Sequence, residues 1–95
     1  MERTEILEEL KSMMGKYMHD EDKVKLADIT DDTDFVKDLN MDSIDLVDIV
    51  IQAENKYGIE IKNETISKLN TIGACLDVIQ QRLAEKGQQS GVQHF

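Results

Sequence analysis

Ser43 is the residue of this 95-residue chain whose position best suits chemistry. It lies in the run Asp42-Ser43-Ile44-Asp45, where a polar loop passes into the most apolar stretch of the sequence. A hydroxyl at the start of a helix lies beside unpaired backbone N–H groups and the positive end of the helix dipole, and both favour a phosphate. The position therefore suits a phosphodiester on the Ser43 oxygen. The alternative is plain helix capping, because Asp and Ser are both preferred N-cap residues.

The residues just before Ser43 begin like a calcium-binding loop but do not complete one. Asp38, Asn40 and Asp42 occupy alternate positions, as in an EF-hand. However, the sixth position is Ser43 where the loop needs glycine, and the twelfth is Ile49 where it needs a bidentate glutamate. We therefore expect no selective calcium site.

No other set of residues predicts catalysis or a metal centre. His19 stands alone and His94 lies near the C-terminus, so neither offers a metal pair. Ser43 has no histidine or lysine beside it to act as a base, and Cys75 lies on an apolar stripe where a buried thiol is commoner than a nucleophile. We expect a protein without catalytic or metal-binding residues, and not an enzyme.

The negative charge is concentrated in one segment. Between Asp20 and Asp48 there are eleven acidic residues and three lysines, whereas the net charge of the whole chain is −9. We call this segment the acidic block. It repels nucleic acid and anionic membranes and attracts basic protein surfaces. The alternative is a solvated surface that only keeps the protein soluble.

The length and composition indicate one small domain with a single core. The charged N-terminal stretch lacks the apolar run of a signal peptide, and no segment is apolar enough to span a membrane. A single cysteine forms no internal disulfide. We therefore expect a cytoplasmic protein without stable membrane insertion, and we also expect it to be a monomer.

Hydrophobic periodicity predicts an all-α fold with four helices and no strand. The predicted helices span about residues 4–17, 43–57, 65–69 and 71–84, with Gly58 as a left-handed cap of the second and Thr71 as the cap of the fourth. The long loop at 18–33 is expected to place Val24, Leu26 and Ile29 in the core. The domain is predicted to cover residues 1–86, and the polar segment 87–95 is predicted to be a disordered tail.

The second helix has two apolar faces. An inner face comprises Leu46, Ile49, Val50, Ala53 and Tyr57, and an outer face comprises Ile44, Val47 and Ile51. Because the other helices each show one main stripe, they cover the inner face and leave the outer face for a partner. Acidic residues flank the outer face: Asp45, Asp48 and Glu54. The alternative is a central helix that its neighbours enclose completely.

The chain resembles the acyl carrier protein family, whose signature Asp-Ser-Leu-Asp reads here Asp42-Ser43-Ile44-Asp45. The resemblance extends to Phe35–Leu39, to Glu54–Ile61 and to Thr71–Gly73. It implies a four-helix bundle with a long loop between the first two helices and a short third helix. It also implies that a phosphopantetheinyl transferase moves 4'-phosphopantetheine from coenzyme A onto Ser43, and that the terminal thiol then holds an acyl group as a thioester for fatty acid or related biosynthesis.

The same resemblance implies two further sets of residues. The helix that begins at Ser43 would dock on acyl-transferring and chain-elongating enzymes with basic patches, through Asp42, Ile44, Asp45, Val47, Asp48, Ile51 and Glu54. The acyl chain would lie between helices two, three and four, against Phe35, Ala53, Ile66, Leu69 and Cys75.

Three positions depart from the common family pattern. Asn40 replaces a glycine, Ile44 replaces a leucine, and Lys62-Asn63 stands where many members have Pro-Asp. Asn tolerates left-handed backbone angles, so the first change is compatible with the same turn. Two other functions remain as alternatives: a carrier of an amino acid, of the peptidyl or D-alanyl type, and an acidic helical adaptor that is never modified.

Overall fold

The computed structural model describes the backbone of residues 2–93 and the side chains of residues 2–86. Within that part the protein is all helical, and its only sheet-like feature is an isolated bridge between Asp34 and Thr71. The elements in chain order are α1 (Arg3–Gly15), α2 (Asp20–Lys23), a 3₁₀ segment (Val24–Asp28), α3 (Ser43–Tyr57), α4 (Asn63–Ile66) and α5 (Ile72–Gln93). The all-α prediction is confirmed.

Helix α1 starts at a capping box, which the apolar periodicity does not predict. The Glu2 side chain accepts from the backbone of Glu5, and the Glu5 side chain accepts from the backbone N–H of Glu2. These bonds satisfy N–H groups that have no partner inside the helix. The helix therefore begins at Arg3, and it ends at Gly15, two residues before the predicted end. Its buried side chains are Ile6, Leu10, Met13 and Met14.

The segment predicted as a long loop contains a short helix and a 3₁₀ turn. Three consecutive acids open α2, where negative charge complements the helix dipole. The prediction that Val24 lies in the core is wrong, because its side chain is 74% exposed. A 3₁₀ helix has three residues per turn, so Leu26 and Ile29 lie on the same face, and both are half-buried. Val24 lies on a different face.

Helix α3 has the bounds that the periodicity predicts, and Gly58 is its left-handed cap with φ +63°. The Lys86 ammonium donates to the Tyr57 carbonyl at 2.8 Å, which ties α5 to the end of α3. A glycine at 58 also leaves room for Lys86, since an added Cβ would lie 2.6 Å from its Nζ.

The last two helices differ from prediction in their bounds. Helix α4 covers Asn63–Ile66, whereas the predicted helix covered 65–69. Thr71 caps α5 as predicted, because its Oγ1 accepts from the backbone N–H of Ala74 at 3.2 Å. Helix α5 continues to Gln93, beyond the predicted end at 84. Its backbone thus extends into the segment predicted to be a disordered tail, and the side chains of 87–95 lie outside the described residues.

One core joins these elements. The inner face of α3 packs against the apolar stripes of α1 and α5, and Phe35, Leu39 and Met41 complete the core from the loop that precedes α3. None of the described helices is long and apolar enough to cross a membrane.

Candidate functional site

Ser43 is the first residue of α3, and its side chain is exposed. Its hydroxyl has no hydrogen-bond partner in the described part of the chain. Asp42 is the N-cap residue by backbone conformation, with ψ 147°, but its carboxylate makes no capping hydrogen bond. Neither side chain makes a hydrogen bond that caps the start of α3. The structure therefore does not support the interpretation that these residues only cap the helix.

Buried residues hold the backbone on both sides of Ser43. Met41 is 3% exposed and Leu46 is 6% exposed, so both are anchored in the core. The Leu46 N–H donates to the Asp42 carbonyl at 3.2 Å and closes the first turn of α3. The exposed hydroxyl therefore stands on a backbone whose position the core determines.

A hydrogen-bonded turn precedes Met41. Asp34 Oδ1 accepts from the backbone N–H groups of Val36 and Lys37, each at 2.9 Å, and Asp38 Oδ2 accepts from the Asp34 N–H at 2.7 Å. The bond from Lys37, supported by the bond from Val36, lowers the pKa of Asp34 despite a partial desolvation that acts in the opposite direction. An ionised Asp34 therefore stabilises the turn.

Asn40 joins this turn to the start of α3 in a left-handed conformation, with φ 58°. In the described chain it is the only residue other than glycine with a positive φ. Asn adopts this region more readily than most residues because its short polar side chain bonds locally. Asn40 thus supports the left-handed turn on the backbone path toward Ser43.

The structure separates the two faces of α3 as predicted. On the outer face Ile44, Val47 and Ile51 are 74%, 40% and 46% exposed. Every inner-face residue is buried. The alternative of a fully enclosed α3 is therefore wrong. No sequence pattern singled out Val36 as a site residue, and its side chain is 48% exposed in the turn before Ser43.

The acidic residues around the outer face are not equivalent. Asp42 and Asp48 are exposed, and Asp45 is half-buried. Glu54 is half-buried, and its Oε2 accepts from the Ile61 N–H at 3.0 Å. Glu54 therefore holds the chain that leaves α3, whereas Asp48 makes no ion pair in the described part of the chain and is open to a partner.

The five residues predicted to line an acyl pocket all contribute to the core. Phe35, Ala53, Leu69 and Cys75 are at most 2% exposed, and Ile66 is half-buried. Burial raises the pKa of the Cys75 thiol to about 12, which disfavours the nucleophilic thiolate form. Among the described residues no group of His, Cys, Asp and Glu is arranged to hold a metal ion.

Comparison with known proteins assigns this arrangement to a family. A family model described as a phosphopantetheine attachment site matches residues 16–79, which is more than half of the chain and includes Ser43. The chain belongs to the acyl carrier protein family. The signature around Ser43 and the fold are therefore those of a carrier, which binds acyl groups through covalently attached 4'-phosphopantetheine.

Individual relatives agree with this assignment. The chain is 36% identical to an acyl carrier protein of Coprothermobacter proteolyticus, over 90% of this chain and 100% of that protein. It is 33% identical to an acyl carrier protein of Thermosynechococcus vestitus, over 88% of this chain and 99% of that protein.

Solved structures show the same fold. The acyl carrier protein of Enterococcus faecalis superposes with a TM-score of 0.70 at 29% identity, covering 86% of this chain and 99% of that one. The hexanoyl form of the carrier from the actinorhodin polyketide synthase of Streptomyces coelicolor gives a TM-score of 0.69 at 26% identity, covering 80% and 87%. These findings favour an acyl carrier over the amino-acid carrier and the unmodified adaptor.

Proposed function

We propose that Ser43 is the residue that carries the phosphopantetheine arm. The observation that supports this most directly is the exposed hydroxyl, which has no protein partner among the described residues and stands between the buried anchors Met41 and Leu46. When attached, the arm supplies a flexible chain whose terminal thiol holds an acyl group as a thioester. The protein supplies a rigid base for it.

The first turn of α3 fits a phosphate on the Ser43 oxygen. The backbone N–H groups of Ser43, Ile44 and Asp45 precede the first intrahelical bond, which Leu46 makes to Asp42. Such N–H groups and the helix dipole favour an anion at this point. No described base contacts the hydroxyl, so the transferase must remove the Ser43 proton during attachment.

The outer face of α3 is the proposed docking surface for the transferase and for acyl-handling enzymes. Ile44, Val47 and Ile51 provide an exposed apolar strip beside Ser43. Asp42, Asp45 and Asp48 place negative charge along it, which suits partners with basic patches. Glu54 adds its charge at the far end while it holds Ile61.

The proposed acyl site is the region of the core lined by Phe35, Ala53, Ile66, Leu69 and Cys75. Because four of these side chains are fully buried, an acyl chain must displace side chains to enter. The half-buried Ile66 on α4 is the proposed point of access. We further propose that the protein is a cytoplasmic monomer that serves fatty acid or related acyl-transfer biosynthesis.

The attachment is tested by intact-mass spectrometry after incubation with coenzyme A and a promiscuous phosphopantetheinyl transferase. The wild type should gain one phosphopantetheinyl group, and Ser43→Ala should gain none while its circular dichroism stays helical. Ser12→Ala, which removes another exposed serine hydroxyl, should be modified like the wild type. Modification of Ser43→Ala would refute the assignment.

A further inference from the structure

A polar cavity lies at the opposite end of α3 from Ser43. It has a volume of about 360 Å³ and opens between the chain that leaves α3 and the middle of α5. A 15-residue helix is roughly 21 Å long, so this cavity is remote from the proposed attachment residue. That separation is more than twice the screening length of about 8 Å at physiological ionic strength. The charges around Ser43 therefore act only weakly there.

Basic side chains outnumber acidic ones in this cavity, although the chain as a whole is strongly acidic. Lys62, Arg82 and Lys86 line it together with Glu60 and Glu85. Arg82 Nη1 pairs with Glu85 at 2.9 Å. The Lys86 ammonium is held on the Tyr57 carbonyl at 2.8 Å, where its charge also offsets the negative end of α3.

Two donor groups on side chains that line the cavity have no partner in the described part of the chain. The Arg82 Nε is buried and has no hydrogen-bond acceptor. Lys62 is exposed and forms no ion pair there. Buried N–H groups in folded proteins are nearly always bonded, so an orphaned guanidinium N–H on a side chain that lines the cavity with two lysines needs an acceptor. An oxyanion supplies several acceptor atoms and matches the charge.

Lys62 belongs to the Lys62-Asn63 pair that departs from the common family pattern, and the attachment chemistry gives this departure no role. The departure adds a cation at the rim of the cavity that Arg82 and Lys86 line. We propose that the cavity lined by Lys62, Arg82 and Lys86 is a binding site for a small oxyanion, a carboxylate or a phosphate. This inference does not depend on attachment at Ser43.

The test is an NMR titration of the full-length, unmodified protein with sodium phosphate and, separately, with sodium acetate. Sodium chloride keeps the ionic strength constant. The backbone amides of residues 58–62 and 82–86 should show saturable shifts with at least one oxyanion. Phosphate alone, acetate alone or both would each support the site and would identify which oxyanion it accepts.

Two lysine variants make the test specific. Lys62→Gln removes one charge-assisted contact and should weaken binding by about tenfold. Lys68→Gln makes the same charge change at another exposed lysine outside the cavity and should bind like the wild type. Shifts that do not saturate, or equal affinity in Lys62→Gln and wild type, would overturn the proposal.

Discussion

The backbone N–H of Phe35 donates to the carbonyl of Asn70 at 3.0 Å, and this bond joins the turn before Ser43 to the chain that enters α5. The Phe35 carbonyl in turn accepts from the Met41 N–H at 3.1 Å. Phe35 is fully buried, so the bonds are protected from water. The start of α3 is thereby positioned by the core and by the last helix together.

Asn40 tests how strongly the backbone before Ser43 is constrained. Asn40→Ala should reduce the free energy of unfolding by about 1 kcal/mol, because alanine is strained at φ 58°. Asn40→Gly should change it by only a few tenths of a kcal/mol, since glycine adopts this region freely. Urea unfolding measures both variants. Equal stability of Asn40→Ala and Asn40→Gly would contradict a strained left-handed residue.

The charge on the outer face of α3 should control the rate at which the transferase docks. Asp48→Lys should slow attachment to Ser43 several-fold at low salt, because it reverses an exposed charge on the proposed docking face. Added salt should slow the wild type more than the variant. Val47→Ala should weaken docking with little change in salt dependence.

Glu64→Lys is the control for docking because it reverses an exposed charge on α4 instead. It should retain most of the wild-type rate of attachment. If Asp48→Lys and Val47→Ala also match the wild type at low and high salt, the outer face of α3 is not the docking surface.

The hydrogen bond from the Tyr57 hydroxyl to Glu9 should make stability depend on pH. This bond is the main reason why the pKa of Glu9 lies below its ordinary value of 4.5, with Lys56 as a smaller cause. The pKa of the Tyr57 hydroxyl is raised by burial and by the same carboxylate. Because the folded-state pKa of Glu9 is lowered, its contribution is complete above about pH 4.5 and is lost as the pH falls through the folded value.

Tyr57→Phe should therefore have a lower free energy of unfolding than the wild type at neutral pH. Between neutral pH and about pH 3, its free energy of unfolding should fall by less than that of the wild type. Tyr17→Phe is the matched control, because the Tyr17 hydroxyl accepts from Gln52 at 2.6 Å and involves no carboxylate. Its pH dependence should equal that of the wild type. The measurement is urea unfolding at both pH values, and parallel pH profiles of Tyr57→Phe and wild type would refute the linkage.

Acylation should stabilise the fold if the chain enters the core beside Ile66. A hexanoyl group contributes about 0.8 kcal/mol for each methylene that it buries, which amounts to several degrees in melting temperature for a domain of this size. Ile66→Phe should reduce that increase because the larger ring occupies the point of access. Leu83→Phe, at a half-buried position on α5, should leave the increase unchanged. Equal melting temperatures of the acylated and unmodified forms would place the acyl chain in solvent.

The features that local physics determines could be predicted from the sequence. The bounds of α3, the left-handed cap at Gly58 and the two apolar faces follow from helical periodicity and from glycine's backbone freedom. The candidate residue Ser43 follows from the same reasoning, since it stands at the predicted helix start. Helix α4 lies at Asn63–Ile66 and not at the predicted residues 65–69. A helix of one turn has too few residues for hydrophobic periodicity to define its bounds.

Tertiary structure alone decided which polar groups meet across the chain. Glu54 reaches the Ile61 N–H, Lys86 reaches the Tyr57 carbonyl, and Lys62 joins Arg82 in one cavity. The exposure of Val24 and Val36 also depends on tertiary structure, because the short turns that contain them orient their side chains toward solvent. Periodicity reports only which residues of one element share a face. The partners of a side chain depend on how separate elements pack, and no local pattern in the sequence contains that information.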